Sequence, residues 1–264
     1  MRAASGIGFL FAVLAWASLL NTAGCSGGSS NWARKHKTLS SKESLELAME
    51  SEQPDERRRG VVGLAKSPDG RSEWAVKVFD TLARTDPDTM VRCAALRAIA
   101  PAVDPARVET CLLLLDPSDV NRKRVRAAPP LVRWCAARLL FEAVQRQAFE
   151  ASQSDAIATL LIGRIPVEDD SNARLAMIET LGFFPERRVL DALVDAMDGP
   201  NFAIDHAAEI SLARLTGVTH DHQPDAWRKW LAETEDPFAN SGALPASLAS
   251  KDSKAKWDFL GWME

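Results

Sequence analysis

The feature that most constrains the fold is a helical pattern that recurs along the chain at a fixed interval. Three segments carry this pattern: TMVRCAALRAIA (89–100), PLVRWCAARLLF (130–141) and SNARLAMIETLG (171–182). The fourth residue of each is an arginine, and successive arginines are 41 residues apart: Arg92, Arg133 and Arg174. An apolar residue stands seven positions after each arginine, and apolar runs at 108–115 and 156–165 predict a second helix between copies. Such a pair of helices cannot bury its apolar faces alone, so we expect the pairs to stack on one another.

Looser copies extend the pattern in both directions. DERRRGVVGLAK (55–66) puts Arg58 or Arg59 at the arginine position, and FAIDHAAEISLA (202–213) puts Asp205 there. Leucine and alanine dominate the composition, tyrosine is absent and β-branched residues are sparse. Because such a composition favours helices and no hairpin signal interrupts it, the sequence predicts an all-α protein.

The pattern of Val-Arg followed by small residues resembles HEAT repeats, over residues 42–231. The resemblance implies an α-solenoid of stacked antiparallel helix pairs. It also implies that the repeat arginines bond neighbouring helix ends and acids, although they could instead line a binding groove. The end of this region resembles the last repeat of HEAT proteins from bacterial envelopes. There Trp227, Trp230 and Leu231 share one helix face, which we expect to cap the open end of the stack.

Local signals predict where several helices begin and end. Ser40 and Glu43 have the spacing of a capping box. Asp-Pro pairs at 86–87, 104–105 and 116–117 each predict an N-cap followed by a proline in the first turn. Gly217 predicts a helix C-cap.

The N-terminal 24 residues have the pattern of a bacterial lipoprotein signal peptide. Arg2 precedes an uncharged, apolar run over 6–20, which is short for a membrane span. The small residues before Cys25 resemble a lipobox, which implies that Cys25 is lipidated and begins the mature chain. An ordinary signal peptide with an incidental cysteine is the alternative. Residues 25–39 begin with a Gly/Ser-rich stretch and are predicted to be a flexible tether.

Charge and missing motifs limit the function classes. The signal region holds one arginine and no acid, so the mature formal charge is −4 − 1 = −5. Because nucleic-acid-binding domains are usually basic, we expect no nucleic-acid partner. No sequence motif of nucleophilic or phosphate-handling enzymes is found, so we expect neither catalytic residues nor a cofactor. An enzyme resembling bilin-lyase-like HEAT proteins remains the alternative.

We considered a metal site at His206 and Glu209, one turn apart on a helix. The next histidine, His220, lies 14 residues further on, or about 20 Å away if the chain continues along the helix axis. Two imidazoles without a clear third ligand do not make a typical site, so we predict no metal centre.

Two segments are candidate partner-binding sites. The first is a basic cluster in a loop between helices, whose charged residues are Arg122, Lys123, Arg124 and Arg126. It could dock an acidic partner or anionic lipid, or be a solvated loop. The second is the aromatic end of the chain, with Trp257 and Trp262, in the predicted linker and tail region 234–264. This tail could bind a partner or fold back onto the solenoid.

The remaining cysteines are Cys93, Cys111 and Cys135, an odd number. A bond between Cys93 and Cys111 is conceivable across one helix pair, but the two lie on different helix faces. We therefore predict three buried thiols. Together these observations predict a lipid-anchored protein of the bacterial envelope, facing the periplasm or exterior. Its 40–233 α-solenoid would act as a scaffold for a protein partner that the sequence does not identify.

Overall fold

The structure is a computed structural model and describes residues 39–116, 128–243, 245 and 248. Within these ranges the regular structure is helical, with no β-strand. The α-helices are α1 (Ser41–Glu50), α2 (Pro54–Lys66), α3 (Glu73–Thr85), α4 (Thr89–Ile99), α5 (Pro105–Leu115), α6 (Pro130–Gln145), α7 (Ser154–Arg164), α8 (Ser171–Leu181), α9 (Arg187–Ala196), α10 (Phe202–Thr216) and α11 (Pro224–Glu233). Short 3₁₀ helices cover Ala100–Ala102, Ala151–Gln153 and Ile165–Val167. The predicted all-α class is confirmed.

The helices pack in two interleaved series. The even-numbered helices contact one another in chain order, α2 on α4, α4 on α6, α6 on α8 and α8 on α10. The odd-numbered helices from α3 to α11 do the same. Helices that follow each other in the chain also pack together, as α1 with α2 and α3 with α4. Each helix in the middle of the chain therefore buries surface against both series.

The apolar stripe predicted from the repeated segments lies in the core. Ile99, Leu140 and Leu181, seven residues after the repeat arginines, have no solvent exposure. Burying a side chain of this size stabilises the fold by about 1.5–3 kcal/mol. The stripe thus supplies a comparable stabilisation in each copy of the pattern.

Several predicted helix boundaries are confirmed and one is wrong. Ser40 forms the expected capping box with Glu43, Asp104 caps α5, and Gly217 ends α10 with φ +75°. Asp86 instead ends α3, and Asp88 is the residue that caps α4, because its side chain accepts from the N–H groups of Met90 and Val91. Asp116 follows the last residue of α5, and the helix predicted to begin after it lies outside the described residues.

Two of the three repeat arginines, Arg92 and Arg133, bond helix ends and acids, as the resemblance implied. Arg92 donates from Nε to the carbonyl of Ala83 at 2.8 Å. Arg133 forms a two-pronged bond with buried Glu168, at 2.9 Å from Nε and 2.7 Å from Nη2. Both bonds join an even-numbered helix to a helix end or loop of its neighbours.

The first looser copy uses a different arginine from the two predicted. Arg57, and not Arg58 or Arg59, makes the corresponding contact, with both prongs on Asp86 at 2.8 and 2.9 Å. Arg58 is half exposed and pairs with Asp55 on its own helix. The error arises because the three consecutive arginines point in different directions on a helix, and only one faces the next pair.

The prediction of three thiols is wrong for two of the cysteines. Cys93 of α4 and Cys135 of α6 form a disulfide, with their Cα atoms 5.6 Å apart. Cys111 is a buried thiol, as expected, and burial raises its pKa well above the ordinary range. The only bond considered from the sequence lay across one helix pair, whereas nearly equivalent positions of successive even-numbered helices are the ones that meet.

Candidate interaction surface

A continuous row of arginine and aromatic side chains crosses four of the even-numbered helices. The guanidinium of Arg97 on α4 lies 5.7 Å from the ring centre of Trp134 on α6. On α6 the guanidinium of Arg138 lies 4.7 Å from the ring of Phe141. We call the following set the Arg–aromatic ladder: Arg97, Trp134, Arg138, Phe141, Glu179, Phe183 and Arg214.

The ladder continues from α6 to α10 through direct contacts. Arg138 donates from Nη1 to Glu179 of α8 at 2.8 Å. The rings of Phe141 and Phe183 meet edge to face, with centroids 5.9 Å apart. Phe183 in turn lies under the guanidinium of Arg214 of α10 at 4.7 Å. These contacts make one connected surface out of residues that are far apart in sequence.

Helix periodicity explains why these residues share a surface. On α6 the spacing of Leu131, Trp134, Arg138 and Phe141 repeats every three or four residues, which places them on one side of the helix. All four are half-buried, whereas the opposite stripe is fully buried in the core. The even-numbered helices thus have two faces, one inside the stack and one that carries the ladder.

Exposed apolar residues lie at the starts of two helices that carry the ladder. Met90 at the start of α4 is 44 % exposed, and Phe202 at the start of α10 is 70 % exposed. The Phe202 ring stacks on His206, with centroids 6.0 Å apart. Trp74, on the odd-numbered helix α3, is a comparable exposed aromatic outside this surface.

The chemistry of the ladder favours ligands with carboxylates and aromatic rings. It contains three guanidinium groups and one carboxylate, in a chain whose formal net charge is −4. Burial lowers the pKa of Arg97, which shows that this guanidinium is partly removed from water. Partly desolvated guanidinium groups bind carboxylates and aromatic faces more strongly than fully solvated ones do.

A second cluster of polar groups surrounds Glu209, which is fully buried on α10. Its carboxylate accepts from the indole Nε1 of Trp227 at 2.6 Å, from the hydroxyl of Thr219, and from the backbone N–H groups of His220 and His222 at 2.9 and 3.3 Å. Burial by itself raises the pKa of Glu209, but these donors outweigh it and leave the pKa below its usual value.

This cluster fixes α11 to α10. Trp227 is fully buried, Leu231 is 3 % exposed, and Trp230 packs against the core from a half-buried position. The predicted shared face of α11 is therefore a packing surface, and its role as the cap of a stack stays a prediction. Glu209, which was considered as a metal ligand and rejected, instead anchors this packing through its hydrogen bonds.

The loop after α10 folds back along the helix, contrary to the distance estimate made from the sequence. His222 Nε2 lies 3.1 Å from His206 Nδ1, although the residues are 16 apart. Asp221 and His222 adopt φ of 52° and 62°, a left-handed conformation that these residue types tolerate better than most. The estimate failed because the chain reverses at Gly217 and is held by Glu209. In the described residues, no three His, Cys, Asp or Glu side chains are grouped to hold a metal ion.

The site residues predicted from the sequence all lie outside the described residues. These are Cys25, Arg122, Lys123, Arg124, Arg126, Trp257 and Trp262. The ladder was not predicted, because the pattern that predicted the repeats marks only the buried stripe of each helix. The signal for it was present as a second stripe on α6, where arginine and aromatic residues alternate at helical spacing.

Comparisons with known proteins do not assign the chain to a family. No protein-family model matches it, and no curated protein does. Among the residues that the structure describes, every helix is too short or too polar to cross a bilayer.

Proposed function

We propose that this chain is a scaffold protein of the bacterial cell envelope, tethered by a lipid at Cys25, which binds a protein partner on the Arg–aromatic ladder. The ladder carries the proposal, because it is a connected, chemically distinctive surface built from four helices. Binding surfaces of stacked helical repeats are commonly extended in this way.

The architecture we propose is a HEAT-like solenoid of antiparallel helix pairs. The two interleaved series of helices, each packed in chain order, are what stacking of successive pairs requires. Arg57 and Arg133 each bond an acid that lies further along the chain, 29 and 35 residues away respectively, so the contact recurs in the same chain direction. Both observations support a repeat architecture, in which each unit bonds to the next.

The disulfide supports the proposed location. Disulfides persist in oxidising compartments such as the periplasm and are rare where thiols are kept reduced. The Cys93–Cys135 bond lies in the core, where both cysteines are about 1 % exposed. An exported chain with a lipobox at Cys25 would fold in a compartment that allows this bond.

The partner we infer presents a segment with acidic and aromatic side chains. Carboxylates would pair with the guanidinium groups of Arg97, Arg138 and Arg214. Aromatic or apolar side chains would pack beside Trp134 and the exposed Met90. The basic cluster at 122–126 remains a candidate contact for the same partner.

The anchor is tested by replacing the proposed lipidated residue. We expect the Cys25→Ser variant to be lost from the membrane fraction. We also expect the N-terminal peptide of the unaltered protein to carry a diacylglycerol mass. Unchanged fractionation of the variant, together with no lipid on that peptide, would contradict the anchor.

Partner binding is tested by crosslinking pull-down of the full-length, membrane-extracted protein. Phe202→Ser removes an exposed aromatic at the start of α10, the helix that carries Arg214 of the ladder, and Trp74→Ser is the matched control on α3. We expect the first variant to lower recovery of a specific partner at least threefold, and the control to leave recovery unchanged. Equal recovery from both variants would place binding elsewhere on the protein.

A further inference from the structure

The last described segment of the chain returns to the ladder surface. After α11 the N–H of Gly242 donates to the carbonyl of Arg214, the ladder residue on α10, at 2.9 Å. Asn240 packs so closely on Gly217 that a Cβ at this glycine would lie 2.5 Å from the Asn240 carbonyl oxygen. Leu248 is also buried, at 8 % exposure. Residues 240–242 therefore lie beside the Arg214 end of the ladder.

The remaining chain is long enough to follow the ladder. Sixteen residues follow Leu248, and Trp257 is the ninth of them. An extended chain covers at most about 3.3–3.6 Å per residue, so Trp257 could lie about 30 Å from Leu248. Packed helices are separated by about 8–10 Å, so a span from α10 to α6 needs about 20 Å.

The chemistry of this segment matches that of the ladder. The residues WDFLGWME (257–264) contain four large apolar side chains and a methionine, interrupted by Asp258 and ending in Glu264. The ladder offers aromatic rings beside three guanidinium groups and only one carboxylate. The carboxylates of the segment therefore complement the guanidinium groups of the ladder, and the rings of the segment complement its aromatic rings.

We propose that residues 257–264 bind the Arg–aromatic ladder of their own chain, so that the partner must displace them. This inference rests on the proposed role of the ladder as a binding surface and adds its intramolecular occupant. The segment is tethered within reach of the ladder, which gives it a high effective concentration there. A partner could then bind the ladder only after the segment is released. The partner would therefore bind the intact protein more weakly than a protein that lacks the segment.

The test is site-specific photo-crosslinking in the full-length protein. A benzophenone amino acid replaces Phe259 in one preparation and Lys254, in the polar stretch before it, in the matched control. We expect crosslinks from position 259 to peptides of α6 and to the 171–183 region that contains Glu179 and Phe183. Crosslinks from position 254 to these peptides should be at least fivefold fewer.

Mixing ¹⁴N- and ¹⁵N-labelled protein identifies which copy is crosslinked. Crosslinked peptides of uniform isotope composition support the intramolecular contact, whereas mixed pairs would show that a second copy is bound and would overturn the proposal. Crosslinks only to odd-numbered helices, or no crosslinks, would also overturn it.

A companion variant separates this proposal from the scaffold function. Trp257→Ser combined with Trp262→Ser should abolish the position-259 crosslinks and raise partner recovery in the pull-down. If the position-259 crosslinks never form but Phe202→Ser still lowers partner recovery, the segment does not occupy the ladder and the proposed scaffold function stands. If the crosslinks form but no partner depends on Phe202, the scaffold function fails and the intramolecular contact stands.

Discussion

Cys93 of α4 and Cys135 of α6, which are 42 residues apart in sequence, join two successive even-numbered helices through a disulfide. Each cysteine follows a repeat arginine, Arg92 or Arg133, by one or two positions. The bond therefore connects nearly equivalent positions of neighbouring repeats. It also closes a loop that contains Cys111, the buried thiol on α5.

The state of these cysteines can be read directly by mass spectrometry. In protein unfolded without reductant, a thiol reagent should label Cys111 but neither Cys93 nor Cys135. After reduction all three should react. Labelling of all three without reduction, in protein isolated from the envelope, would contradict the disulfide.

Removing the disulfide should destabilise the fold. Closing a loop of this length is worth about 3–4 kcal/mol through its effect on the unfolded chain. We therefore expect Cys93→Ala with Cys135→Ala to lower the free energy of unfolding by roughly that amount in urea titrations. Reductant should lower the stability of the unaltered protein in the same way and have no further effect on the double variant. A double variant as stable as the parent would show that the bond contributes little.

Glu209 is predicted to be the most sensitive polar residue at the end of the stack. Its carboxylate satisfies four donors around Trp227 and the loop that follows α10. Glu209→Ala should cost about 3 kcal/mol or more, because the buried donors would lose their partner. Glu233→Ala, at an exposed position near the end of α11, is the control and should change stability by less than about 0.5 kcal/mol. Thermal unfolding measures the stability of both variants, and similar losses of stability would rule out this role for Glu209.

Acid should destabilise the protein through Glu168. Burial raises the pKa of this carboxyl, but bonds from Arg133 and the N–H of Asp170 outweigh burial and lower the pKa to about 2. Because the folded pKa lies below the unfolded value of 4.5, the stabilisation is fully present above pH 4.5 and is lost as the pH falls towards 2. The difference corresponds to about 3 kcal/mol.

Urea titrations at pH 7, 4.5 and 3 check this dependence, with Glu168→Gln as the comparison. The variant should be less stable at pH 7, but its stability should fall less steeply below pH 4.5 than that of the unaltered protein. Parallel pH profiles for the two proteins would show that Glu168 does not titrate as described.

Local and periodic features of the structure could be predicted from the sequence. The buried positions of Ile99, Leu140 and Leu181 follow from helical periodicity, and the caps at Ser40 and Gly217 follow from short-range chemistry. These features depend on residues within one or two turns of each other. The interactions that stabilise these features can therefore be recognised from a single segment of the sequence.

Contacts between repeats were harder to predict. The partner of Arg57 is 29 residues away, and Arg138 and Glu179 of the ladder are separated by 41. Such pairs depend on the register between stacked helices, which periodicity alone leaves open. The fold-back that brings His222 to His206 likewise depends on the bonds of Glu209 to a loop with no sequence motif of its own.

The central claim is that the ladder surface of the even-numbered helices is where this protein binds its partner. The most direct measurement is photo-crosslinking in intact cells, with a benzophenone amino acid at Met90 or Phe202, at the exposed starts of two ladder-bearing helices, or at Trp74 on α3. The account predicts that the first two positions crosslink the same envelope protein and that Trp74 does not. Equal crosslinking of that protein from all three positions, or from Trp74 alone, would contradict it.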